Sequence, residues 1–171
     1  MSKKALKKEL ENLTKPQLVE VIIAAYASNV GTKEYFDFFL NPDVDALITK
    51  YKELVAREFK RTKRGNQSKA RISVIKGYLK KFAGFDPGVK HVLDLYIYAV
   101  EESIDVERRF YLKVVQYESC ARLVSEFMKI SEANESFSDS FQIISSIIET
   151  KPTDVYKRYL KAELQRFIDR K

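Results

Sequence analysis

With one histidine, one cysteine and no tryptophan, the 171-residue chain has few of the side chains that carry catalysis and metal binding. A lone Cys120 excludes an internal disulfide and a cysteine-based zinc cage, and such usage fits a reducing compartment. A lone His91 cannot supply the paired Glu-x-x-His of di-iron bundles, and five scattered glycines form no phosphate-cradling loop. The start of the chain has no signal-peptide core, no lipidation motif is present, and the longest mostly apolar run, Val21 to Val30, is too short to cross a bilayer. These absences predict a cytoplasmic protein of one domain, 1–171, with no membrane partner, no metal and no cofactor.

Scarcity of glycine and proline also leaves little material for turns, which points to long helices. All four prolines stand where helices ought to begin. Asn41-Pro42 and Asp86-Pro87 pair a cap residue with proline at the first helical position, Thr14-Lys-Pro-Gln17 has the spacing of a capping box, and Thr150-Lys-Pro152 repeats its start. Apolar residues recur at steps of three and four. Examples are Ile72, Ile75, Leu79 and Phe82, the longer series Phe110, Val114, Tyr117, Ala121, Val124 and Met128, and Tyr156, Leu160, Leu164 and Phe167.

These signals predict helices near 3–13, 15–29, 33–40, 42–61, 68–83, 87–103, 106–132, 137–149 and 152–170, and no strand. Gly31 and Gly84 read as helix stops, Gly77 as a close helix crossing, and Val19 to Tyr26, apolar on nearly every side, as a central helix. Short connections make the fold class all-α, built of antiparallel helical hairpins. Either a short right-handed α–α superhelix of HEAT or TPR kind or a compact bundle satisfies it, with the superhelix preferred.

Four stretches carry a resemblance: Lys3-Lys-Ala-Leu-Lys-Lys-Glu-Leu10, Leu13-Thr-Lys-Pro-Gln-Leu18, Lys33-Glu-Tyr-Phe-Asp-Phe-Phe-Leu-Asn-Pro42 and Lys69-Ala-Arg-Ile-Ser-Val-Ile-Lys76. Over residues 3–80 the chain resembles a family of small bacterial helical proteins known as a domain of unknown function. The resemblance implies an all-helical fold and supplies no activity.

Residues able to do chemistry are isolated. His91 has only Asp94 at helical spacing, Cys120 lies beside an apolar stripe, and the acidic run Glu101 to Glu107 lacks the ligand spacing of a calcium loop and reads as a solvated helix end. No catalytic residue is assigned. Charge is more informative. Of 31 basic and 24 acidic residues, ten and one fall between Arg57 and Lys81, which leaves 21 against 23 elsewhere. Arg57, Lys60, Arg61, Lys63, Arg64, Lys69 and Arg71 are thus candidates for holding a polyanion, against the plainer reading of a solvated surface.

The cluster Tyr35-Phe-Asp-Phe-Phe39 supplies the other candidate. Phe36, Phe38 and Phe39 are either packed in a corner between helices or exposed to anchor a partner. The function expected is that of a non-catalytic protein-interaction or adaptor module. The alternative is a nucleic-acid-associated protein gripping phosphates through 57–81.

Overall fold

Apolar residues at helical spacing need a facing surface, and the computed structural model shows which of them obtain one. It describes residues 2–60, 67–110 and 112–170, where the order is α1 (Lys3–Glu11), α2 (Lys15–Ser28), α3 (Val30–Leu40), α4 (Val44–Phe59), α5 (Ile72–Ala83), α6 (Val89–Arg109), α7 (Val114–Ala133), α8 (Phe137–Thr150) and α9 (Asp154–Ile168). No strand occurs among the described residues, as the sequence predicts. The helices form two compact units, 1–43 and 44–171.

In the first unit, α2 and α3 make a helical hairpin. The capping box is present: the Gln17 side-chain oxygen accepts from the Thr14 backbone N–H at 2.9 Å. Between the helices Asn29 ends one and caps the next, its side-chain oxygen accepting from the N–H of Gly31 at 2.8 Å and of Thr32 at 3.1 Å. Gly31 therefore sits in the first turn of α3 rather than stopping α2. No described side chain of α1, α2 or α3 is buried, so α2 is not the central helix that its apolar sequence predicts.

The second unit is a helical bundle. In it α6 packs on α4, α5 and α7, while α7 packs on α8 and α9 as well. The α5 series Ile72, Ile75, Leu79 and Phe82 is buried throughout, as is the α9 series Tyr156, Leu160, Leu164 and Phe167. Burial of such side chains stabilises by about 1.5–3 kcal/mol each. In α7 the predicted stripe holds only from Ala121 onward, joined by Leu123, Phe127 and others, because Phe110 precedes the helix and Val114 is exposed.

The largest boundary difference lies here. The predicted break at 103–106 is instead continuous α6, which runs to Arg109, and α7 begins at Val114. Ser103 explains it: buried, it donates to the Val100 carbonyl at 2.6 Å and shares a 2.8 Å hydrogen bond with Tyr156, so a polar residue is satisfied inside the helix. Ile104 and Val106, which follow it, are buried too, which the acidic run around them conceals.

Prolines announce the helices but do not all enter them. Pro16 lies in the first turn of α2, whereas Pro42, Pro87 and Pro152 each sit two residues before the start of α4, α6 and α9. The turn into α6 uses Asp86 at φ 56° and Gly88 at φ 94°, a left-handed pair around the buried Pro87. Gly84 caps α5 in right-handed geometry, φ −67°, so it stops the helix without needing the conformation peculiar to glycine.

Candidate functional site

Glu58, the one acid in the basic stretch, decides how much of that stretch is available. Its buried carboxylate accepts from Arg71 Nε at 2.8 Å, from Arg71 Nη2 at 3.1 Å and from the Arg71 backbone N–H at 3.2 Å. This clamp ties the start of α5 to the end of α4, so Arg71 is spent on the fold. Lys76 is spent likewise, on Glu126 of α7 at 2.6 Å. Arg57, Lys60 and Lys69 are exposed, while the candidates Arg61, Lys63 and Arg64 lie outside the described residues. Seven predicted phosphate contacts thus reduce, among the described residues, to three exposed cations and one structural arginine.

The aromatic candidates are all on α3. Phe36 and Phe38 are half-buried, whereas Phe39 is exposed and lies parallel to Tyr35, centroids 6.4 Å apart. Tyr35 also meets Phe36 edge-on at 5.6 Å. Polar contacts fasten α3 to α2: the Tyr26 hydroxyl donates to Asp37 Oδ1 at 2.7 Å, and Lys33 Nζ lies 5.8 Å from the Tyr26 ring centroid. Large apolar side chains stay open on this hairpin among its polar ones. Ile23, Val30, Phe39 and Leu40 are each 60% exposed or more, and Val19, Val21 and Ile22 are exposed as well.

Neither candidate for nucleophilic chemistry is assembled. Burial pushes the Cys120 thiol up to about 12, and it sits beside Tyr156 in the interior, where it behaves as an apolar side chain. His91 is half-buried in the first turn of α6. No cluster of three or more His, Cys, Asp or Glu able to hold a metal ion occurs among the described residues, and no described helix is long and apolar enough to cross a membrane.

The acidic run is paired, although Asp105 in it stays exposed. Glu101 meets Lys151, Glu102 accepts from Tyr98 at 2.8 Å, and Asp105 accepts from Arg109 at 3.1 Å. Glu107 joins α6 to α9 by accepting from Thr153 Oγ1 at 2.6 Å. Sequence reasoning misses two of these pairs, Glu101 with Lys151 and Glu107 with Thr153, because they join residues about fifty positions apart.

It also misses a cleft. Between α7 and α9 lies a space of about 620 Å³, walled by Arg122 on one side and by Arg158, Tyr159 and Arg166 on the other. Ala121 and Ala162 leave room in its floor, and Glu118 and Glu163 add two carboxylates. The three arginines lie in two distant segments, so no local charge run signals them.

No curated protein and no solved structure is significantly similar to the chain. A family model, however, matches residues 1–160, nearly the whole length rather than the first half alone. The chain therefore belongs to DUF6155, a family of unknown function.

Proposed function

We propose that this protein acts by binding another protein, with the apolar surface of the α2–α3 hairpin as the contact. One observation carries the reading: a helix as apolar as α2, with α3 beside it, has no buried side chain, and it leaves four large apolar residues at least 60% exposed. Contiguous apolar surface on a folded chain marks interaction sites, and aromatic anchors such as Phe39 suit their centres. The phosphate-gripping alternative has less behind it, since Arg71 and Lys76 are already engaged.

The test is site-specific photocrosslinking in the native cell. A photoreactive residue at position 23 or 39 is expected to give a discrete adduct with a second polypeptide, and one at the exposed Lys90 of α6 none. A companion Leu40→Asp change should remove the adduct while far-UV circular dichroism is retained. Adducts confined to the same chain, or an equal yield from position 90, would overturn the reading.

A further inference from the structure

The α7–α9 cleft holds more guanidinium than the fold uses. Tyr117 in the first turn of α7 stacks on Tyr159 of α9, centroids 5.2 Å apart and planes within 11°, and also touches Tyr156. The two helices therefore begin side by side. On α9, Val155, Arg158, Ala162 and Arg166 fall at i, i+3, i+7 and i+11, one face of the helix; on α7, Glu118, Ala121 and Arg122 face them. Where both helices carry only a methyl group, at Ala121 and Ala162, a gap opens. Its volume of about 620 Å³ lies inside the range of roughly 300–1,000 Å³ typical of small-molecule sites.

The donors differ in how far they are engaged. Arg166 pairs with Glu163 at 3.3 Å. Arg158 gives only Nε, at 3.4 Å, to the Asp154 carbonyl of its own helix, which leaves its terminal nitrogens unspent. Arg122 makes no hydrogen bond or ion pair with the described residues. A planar fork of N–H donors matches a carboxylate or phosphate two bonds at a time, and here one fork stands on each wall.

The rest of the lining narrows the ligand. Tyr159 has one ring face held by Tyr117, so it is a fixed aromatic wall rather than a mobile side chain. Glu118 and Glu163 oppose a string of negative charges, which disfavours an extended polyphosphate, while a single anionic group can sit between the arginines.

We infer that the α7–α9 cleft binds a small organic anion, its carboxylate or phosphate held between Arg122 and Arg158 and its apolar body against Tyr159, Ala121 and Ala162. This site is independent of the α2–α3 surface, and either can fail without the other.

The test titrates the full chain with 1-naphthoate, 1-naphthyl phosphate, 1-naphthol and inorganic phosphate, and follows the arginine Nε–H and alanine methyl signals by NMR. Saturable shifts at Arg122, Arg158 and Ala162 are expected, with at least one naphthyl anion binding about tenfold or more tighter than either naphthol or inorganic phosphate. The tighter of the two identifies the anionic group as carboxylate or phosphate.

Arg122→Ala and Arg158→Ala should each weaken binding about tenfold. Arg122→Lys, which keeps the charge and loses the fork, should weaken it severalfold, and Lys80→Ala should leave it unchanged. Naphthyl anions that bind no tighter than the two controls, shifts centred elsewhere, or affinity indifferent to Arg122→Ala in a folded variant would overturn the assignment.

Discussion

Glu58 and Arg71 are unequal partners. The Glu58 side chain is 6% exposed and that of Arg71 54%, so each leaves a different residue behind when the other is removed. Without the Arg71 side chain a buried carboxylate loses two charge-assisted hydrogen bonds; with Gln at 58 the exposed guanidinium is simply rehydrated. Breaking such a pair costs most when the stranded charge is the buried one. Arg71→Ala is therefore expected to lower the urea midpoint more than Glu58→Gln does, and the opposite order in equilibrium unfolding would show that the clamp is not what joins α4 to α5.

Phenols give a second prediction at the same scale. Burial, with Glu126 nearby, pushes Tyr96 up to about 12, and burial raises Tyr156 well above its usual 10.0. In the unfolded chain these groups lose their protons near 10, so above that pH the native state binds more protons than the unfolded one and stability falls. The loss should run from pH 10 through about 12. Phenolate absorbance should show these tyrosines ionising late in the folded protein and with the others in urea; all ten ionising together near pH 10 while folded would contradict the burial.

Helices were legible where spacing and burial agree, as in α5 and α9, whose apolar series are buried at every position. Elsewhere the pattern misleads for physical reasons. The acidic surface of α6 reads as a helix end because Ser103 finds its partner, Tyr156, 53 residues away, and spacing along the chain cannot reveal that. Gly77 misleads in the other direction. It reads as a close crossing of helices, yet a Cβ placed there would meet nothing within 4 Å, and the residue is exposed. Glycine within a helix then carries its backbone entropy cost with no packing in return. Gly77→Ala should stabilise the protein by about 0.5–1 kcal/mol in urea unfolding, and a loss of stability would imply an approach to α5 that the structure lacks.

At the scale of the whole molecule, burial among the described residues is confined to one part of the chain. The candidate sites follow the same division. The exposed aromatics of α3 were legible because they are consecutive, whereas the arginine cleft was not, because α7 and α9 assemble it from residues more than thirty positions apart. Among the described residues every buried side chain lies between Leu47 and Phe167, and α1, α2 and α3, with 9, 14 and 11 residues, contribute none. Isolated helices shorter than about 12–15 residues are marginal in water, and helical stability comes mainly from an apolar face packed on a partner. Residues 44–171 alone should therefore keep their helical circular dichroism and unfold in one cooperative transition, whereas a peptide of residues 1–43 should show weak helicity and no sharp melt. If the longer fragment instead melts gradually, the apolar side chains of α2 and α3 supply part of its stability, and the surface assigned to a partner is needed by the fold.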